Sequence, residues 1–188
     1  MNRHDYLDYL RRLDDLTRVL FEIVPPDRLD WMPAEGMMPI RLLLWHLAQS
    51  IGGGVHAVCT GAWQVGPNAP PPPPELEGKA FLRETLAELM RQFALACDDV
   101  ETLADAVYEN GTVTAPPPLN TTQTVRRWLW SIVEHHLNHR MQLFVYLRIL
   151  GIPVDTALLY RGQWKGKESS LSSADRGTAT RKAPGGLG

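Results

Sequence analysis

The stretch Glu134–Gln142 (EHHLNHRMQ) decides the fold, because it puts three of the chain's six histidines within five residues. It lies inside a run from Val125 to Leu150 that contains no proline or glycine, and the apolar residues of that run recur three or four positions apart. This spacing is typical of one face of an α-helix. The run therefore predicts a long helix that carries a cluster of histidines.

One line along this helix is predicted to face the interior of the protein. It advances by four and three residues in alternation, as the inward line of a bundle helix does, and contains Trp128, Ile132, His135, His139, Gln142, Tyr146 and Ile149. A polar group buried there costs about 1–3 kcal/mol unless it has a partner. Side chains four residues apart share a helix face, so a divalent metal is one such partner for His135 and His139. Hydrogen bonds to carbonyls or carboxylates are the alternative.

His136 offers a second pairing with His139, at a spacing of three residues. It is predicted to lie on the flank of the helix, and the apolar residues on that flank are Leu129, Val133 and Leu143. The sequence therefore favours the pair formed by His135 and His139.

The composition limits the classes of protein to be considered. A chain of 188 residues fits one domain with a sizeable core. The net charge of −2 and the scattered basic residues give no electrostatic footprint for nucleic acid. Cys59 and Cys97 have neither a disulfide pattern nor zinc-ribbon spacing. No apolar run is long enough to span a membrane or resembles a signal core, so the sequence predicts a soluble, cytoplasmic protein.

The apolar spacing predicts four long helices, separated by connectors rich in proline and glycine, with no strand pattern. The first three are expected over Asp5–Val24, from Pro39 to the loop that starts at Gly61, and over Lys79–Leu103. Asn120–Thr122 can cap the fourth helix, and Pro70–Pro74 is expected to be extended. We therefore predict an all-α four-helix bundle over residues 1–162 and a disordered C-terminal tail over 163–188, which is poor in apolar residues.

The second helix adds a further histidine of interest, His46, on an apolar face whose residues become small just beyond it. The run Gly52–Gly54 costs roughly 1 kcal/mol per glycine inside a helix. Two explanations stay open: a kink or close helix crossing, or space for a ligand beside His46. His56 is predicted to point to another face and to be exposed to solvent, as is His4.

Two stretches together resemble the DinB/YfiT-like superfamily. They are residues 27–49 (DRLDWMPAEGMMPIRLLLWHLAQ) and residues 134–153 (EHHLNHRMQLFVYLRILGIP). Members are bacterial four-helix bundles that hold a metal with one histidine on the second helix and an HxxxH pair on the fourth. The resemblance implies that His46, His135 and His139 are the metal ligands. Met141 departs from the family pattern, which usually has glycine there, and His136 stands where an acidic residue is common.

Three neutral imidazoles can bind Zn²⁺, Ni²⁺, Fe²⁺ or Mn²⁺ and leave coordination positions open. Such a site supports either hydrolysis or the transfer of a metal-activated thiolate to an electrophile. The resemblance favours transfer of a low-molecular-weight thiol, such as bacillithiol or mycothiol, to a small-molecule substrate. Ser50, Gln142 and Tyr146 are candidates to line the pocket. No general base is evident, since Glu134 lies about 100° round the helix from His135 and is expected to face solvent.

A non-catalytic alternative also follows from the sequence. The metal or the buried histidines would then only brace a bundle that acts by association as a homodimer, for which the excess of tryptophan is suited. An open coordination position that solvent can reach distinguishes an enzyme from such a brace. The identity of the metal, the thiol and the substrate does not follow from the sequence.

Overall fold

A computed structural model of the chain describes residues 2–63 and 70–164. Its helices are α1 (Arg3–Glu22), α2 (Ile40–Thr60), α3 (Gly78–Thr102), α4 (Asp105–Asn110), α5 (Val125–Ile149) and α6 (Thr156–Arg161), and its strands are β1 (Thr112–Thr114) and β2 (Thr122–Thr124). The predicted all-α fold with four long helices is confirmed. Within the described ranges, no helix is both long enough and apolar enough to cross a membrane. The predicted disordered tail falls almost wholly outside the described residues.

Contacts along the helices fix their directions, starting with α1 and α5. The Tyr6 hydroxyl donates a hydrogen bond to the Leu129 carbonyl at 3.0 Å, near the beginning of both helices. Further along both, Thr17 Oγ1 lies 3.1 Å from His136 Nε2. The two helices therefore run parallel.

Helices α2 and α3 also run parallel to each other. Gly52 faces Gln92, and His56 pairs with Asp99 further along both helices. Arg3, at the start of α1, meets the end of α3 through the Glu101 carbonyl. Helices α1, α2, α3 and α5 therefore run up, down, down and up, respectively.

This arrangement explains the long proline-rich connector between α2 and α3. Two consecutive parallel helices require the chain to return along the whole length of α2, which is about 30 Å for 21 residues at 1.5 Å each. Extended proline covers about 3 Å per residue, so Pro70–Pro74 suits that crossing. The Trp45 indole N–H donates to the Pro70 carbonyl at 2.8 Å and fixes the connector against α2.

A small antiparallel hairpin and two short helices were not predicted. Strands β1 and β2 pair with Thr112 opposite Thr124, and the Trp128 indole N–H donates to the Val113 carbonyl at 3.0 Å. Thr124, rather than the predicted Asn120–Thr122, caps α5 by accepting from the Arg127 N–H. The hairpin therefore leads directly into the helix that carries the histidines.

The buried face of α5 is rotated by about one residue from the predicted face, so that it contains His136 rather than His135. Its buried members include Leu129, Val133, His136, Arg140, Leu143 and Leu147. Two members of the predicted line are exposed, His135 and Ile149, the latter with 58% of its surface accessible. The prediction was right for Trp128 and Tyr146, which are buried, and wrong for the two exposed members of the line. Apolar residues occur on both lines, and only the position of the neighbouring helices decides which line is covered.

Candidate metal centre

Three histidines from two helices converge at one point of the bundle surface. His46 projects from α2, while His135 and His139 lie one turn apart on α5. The ring centroids are 5.0 Å apart for His46 and His135, 4.5 Å for His46 and His139, and 4.7 Å for His135 and His139. Each ring offers one nitrogen, and these three nitrogens all lie within 4.8 Å of one another. The structure therefore brings together the three residues that the sequence singled out.

The nitrogen spacing suits a divalent metal. A tetrahedral ion with bonds of about 2.1 Å would hold its ligand nitrogens about 3.4 Å apart. The Nε2 atoms of His46 and His135 are 2.7 Å apart, so small rotations of the rings bring all three to that spacing. Among the described residues, no fourth His, Cys, Asp or Glu joins the group. Three protein ligands leave at least one position open, which is characteristic of catalytic rather than structural zinc sites.

The electrostatic surroundings keep the imidazoles of His46 and His135 in the form that binds metal. Burial, together with the neighbouring His139 and His135, lowers the pKa of His46 to about 4. Burial and His139 also lower the pKa of His135. Both rings are therefore neutral at pH 7, and each has a lone pair available for a cation.

A short hydrogen-bond chain orients His139. Its Nδ1 lies 2.9 Å from Gln142 Oε1, which can only accept, so Nδ1 carries the proton and Nε2 is left for a metal. The Gln142 amide in turn donates to the Tyr146 hydroxyl at 2.8 Å. Tyr146 is 1% exposed, and its ring packs edge-on against Trp31 with centroids 5.7 Å apart. Gln142 and Tyr146, expected to line a pocket, instead support a proposed ligand from behind.

His136 lies in the core of the bundle, where hydrogen bonds hold its ring. It is wholly buried, in contrast to the flank position predicted for it. Thr17 donates to the Leu13 carbonyl at 2.7 Å, so its oxygen accepts from His136 Nε2. Since Nε2 then carries the proton, Nδ1 accepts from the Ser50 hydroxyl at 2.9 Å, a shorter contact than the 3.2 Å from that hydroxyl to the Leu47 carbonyl. Burial, with the charge of Arg140, lowers the pKa of His136 to about 3. Both ring nitrogens are engaged, so His136 is a neutral core residue.

A cavity of about 780 Å³ opens beside His46 and His135. It extends along α2 between α3 and α5, over the small residues Ser50, Gly53 and Gly54. The hairpin loop at residues 116–119 and the aromatic residues Trp63 and Trp128 form its far walls. Ser50 is among the residues that line this cavity, and Gln142 and Tyr146 are not.

The glycine run allows close helix packing and also borders the cavity. A Cβ at Gly52 would lie 2.7 Å from the Gln92 carbonyl oxygen, so this position allows α2 and α3 to approach closely. Gly53 and Gly54 line the cavity. A Cβ at Gly54 would lie 3.0 Å from Ile132 Cγ1, so this position also allows α2 and α5 to pack closely.

Two polar pairs that include cavity-lining residues were not predicted. His56, predicted to be exposed, is half-buried and its Nδ1 lies 2.9 Å from Asp99 Oδ2. Glu88, predicted to lie on a solvated face, has a 14% exposed side chain and pairs with Arg91 at 2.7 Å. Hydrogen bonds from Arg91 and Gln92 outweigh burial and lower the pKa of Glu88. The prediction for Glu88 was wrong, because helical spacing alone does not show that this residue lines a cavity. The His56 side chain keeps 40% of its surface accessible, so the prediction for it holds in part.

The geometry can be compared with known proteins. The fold is similar to that of a DinB-like protein from Bacillus subtilis, with a crystal structure at 2.30 Å resolution, a TM-score of 0.61 and 20% sequence identity. That similarity covers 78% of this chain and 92% of the other. No curated protein matches the chain significantly. A sequence model of the DinB superfamily matches residues 9–143, which include α2, α3 and all three histidines of the cluster. The chain therefore belongs to the DinB superfamily.

Proposed function

We propose that this protein is a divalent-metal-dependent enzyme that transfers a low-molecular-weight thiol to an electrophilic small molecule. One observation carries the proposal. Three histidines from α2 and α5 bring their ring nitrogens within 4.8 Å of one another, and two of them, His46 and His135, also line a cavity of about 780 Å³. A site that only braced the bundle would have no need of a coordination position facing such a cavity.

The residues of the chain have distinct tasks in this proposal. His46, His135 and His139 hold the metal, which can be Zn²⁺, Ni²⁺, Fe²⁺ or Mn²⁺ with such ligands. The ion, when bound, supplies a Lewis acid that lowers the pKa of a thiol or water towards about 7. Gln142 keeps His139 in the tautomer that offers Nε2. The cavity holds the electrophile next to the reacting sulfur, and its size supports a reaction of two molecules more than hydrolysis by water alone.

The experiment begins with metal content, measured by elemental mass spectrometry on protein purified without an affinity tag or chelator. We expect about one metal ion per chain, and its loss in His46→Ala, His135→Ala and His139→Ala variants. His4→Ala is the matched control, since the His4 side chain is 80% exposed and distant from the cluster. The metal-loaded enzyme is then assayed for consumption of bacillithiol or mycothiol with a panel of electrophiles.

The outcomes distinguish a thiol transferase, a hydrolase and a protein that binds no metal. Metal binding with thiol consumption that depends on His135 supports the transferase. Metal binding with hydrolysis of an ester or amide, but no use of thiol, supports the hydrolase. A wild type that binds no metal after reconstitution contradicts both.

A second role, association as a homodimer, is supported by the outer face of α5. Met141, Val145 and Ile149 follow one another at intervals of one turn and are 40%, 44% and 58% exposed. An exposed apolar stripe of this kind is typical of a protein–protein interface. Sedimentation of the wild type and of Val145→Glu tests this role. A wild-type dimer that becomes monomeric in the variant supports it, and a monomeric wild type contradicts it.

A further inference from the structure

We infer that the cavity beside the histidine cluster binds a neutral, elongated, mainly apolar small molecule, with one end at His46 and its body against Trp63, Trp128 and Leu119. Binding of this ligand does not depend on the proposed function. Only the further step, in which the ligand reacts as the electrophile at the histidine end, rests on the proposed function.

The length of the cavity follows from the helix that forms its floor. His46 and His56 both line it and are ten residues apart on α2, which corresponds to about 15 Å along the axis. A volume of about 780 Å³ lies within the usual range for sites that enclose drug-sized ligands. A molecule of extended shape therefore fits better than a small compact one.

The wall of the cavity far from His46 is apolar, and contacts within the protein fix its side chains. The rings of Trp63 and Trp128 pack edge to face with centroids 5.5 Å apart. The Trp128 indole N–H is anchored to the Val113 carbonyl at 3.0 Å. The hairpin loop adds three consecutive prolines, 116–118, and Leu119, which is 54% exposed. Aromatic and proline surfaces lose little conformational entropy on binding, so they favour flat apolar ligands.

The charges in the cavity wall argue for a neutral ligand. The charged side chains among the described lining residues are Glu88 and Arg91, and these two pair with each other at 2.7 Å. A ligand with a net charge would lose hydration without gaining an unpaired counter-charge along the cavity, and that loss is costly. A neutral molecule incurs no such cost.

The test is a fluorescence titration with N-phenyl-1-naphthylamine, a neutral apolar probe, on the full-length protein with and without zinc. We expect saturable binding of one probe per chain in both forms. Trp63→Ala and Leu119→Asp should each weaken it at least about fivefold, because they remove apolar contact area or introduce an unpaired charge. The anionic analogue 1-anilinonaphthalene-8-sulfonate should bind more weakly than the neutral probe.

Two control variants match these substitutions in type. Trp130→Ala removes a 41% exposed tryptophan that packs on Tyr9 and does not line the cavity. Leu42→Asp places a charge at a 42% exposed leucine on α2 that also lies outside the cavity lining. Both should bind the probe as the wild type does. Circular dichroism checks that every variant is folded.

The same titration separates this inference from the proposed function. His139→Ala should bind no metal, yet it removes a ring that does not line the cavity, so affinity for the probe should stay within a factor of about three of the wild-type value. Binding of the probe by a protein that takes up no metal would leave the inference standing while the proposed function fails. Absence of saturable binding, equal weakening by the control variants, or tighter binding of the anionic analogue would overturn the inference.

Discussion

His135 and His136 are neighbours in the sequence, yet the structure gives them opposite surroundings. His135 is exposed, and its ring faces those of His46 and His139. His136 is wholly buried, and its two nitrogens meet Thr17 and Ser50. A turn of about 100° around the helix axis separates the two positions. That rotation alone changes an imidazole from a proposed metal ligand into a core residue.

The comparison shows that the free ring nitrogen, rather than the histidine itself, marks a candidate ligand. His136 has one nitrogen donating and one accepting, so no lone pair remains for a cation. In the cluster, the only partner of His135 among the described residues is a neighbouring histidine. A metal can replace that contact. Four experiments test this contrast.

The largest effect is expected for metal affinity in His135→Ala. Structural zinc sites with four ligands provide about 10–16 kcal/mol, or roughly 3 kcal/mol per ligand, so affinity should fall at least about 100-fold. Isothermal titration with zinc measures this loss. Without metal, the free energy of unfolding should change by less than about 1 kcal/mol, as is usual at exposed sites. A variant with full affinity would show that His135 is not a ligand.

His136→Ala should produce the opposite pattern. The substitution empties a buried volume and removes the partners of Thr17 and Ser50, so the metal-free protein should lose about 3 kcal/mol of stability. Urea unfolding followed by circular dichroism measures the loss. The variant should still bind zinc at a temperature where it is folded. Loss of zinc binding with unchanged stability would mean that the assignments of His135 and His136 are reversed.

Acid should affect His136 through its protonation in the unfolded state. The pKa of an unfolded histidine is about 6.5, and burial lowers the pKa of His136 in the fold to about 3. Above pH 6.5 both states are neutral, and the histidine makes no pH-dependent contribution. Between these pKa values only the unfolded chain binds the proton, so stability falls by up to about 1.4 kcal/mol per pH unit as the pH decreases.

The difference between wild type and His136→Ala isolates this contribution. Urea unfolding of the metal-free proteins at several pH values between 7 and 4 should show a flatter dependence for the variant. Other groups, including His46, titrate in both proteins and cancel in the difference. Parallel curves would indicate that His136 binds a proton equally well in the folded state.

Sequence periodicity was enough to predict the four long helices, since each is bounded by proline or glycine and carries an apolar stripe. It could not choose the buried line of α5, because His135 and His136 both lie next to apolar residues at helical spacing. The position of α2 and α1 makes that choice. Strands β1 and β2 escaped prediction because three residues, TVT and TQT, are too short to show an alternation. The cavity depends on the hairpin loop at residues 116–119, which lines it together with residues of α2 that are distant in sequence, and no local pattern records that.

The smallest effect is expected from Gln142→Ala, which leaves all three proposed ligands in place. The Gln142 carbonyl holds the proton of His139 on Nδ1, while its amide is fixed by Tyr146. Without this contact the ring can rotate or place its proton on Nε2, which competes with the metal. Substitutions at such supporting positions typically cost 10–100-fold in metal affinity, and we expect about tenfold here because Gln142 orients one ligand of three. Asn138→Ala, an exposed amide on the same helix, is the matched control for zinc titration. Equal zinc affinity in the two variants would show that packing against the other rings is enough to orient His139. The hydrogen bond to Gln142 would then not be needed to make a histidine of this cluster a metal ligand.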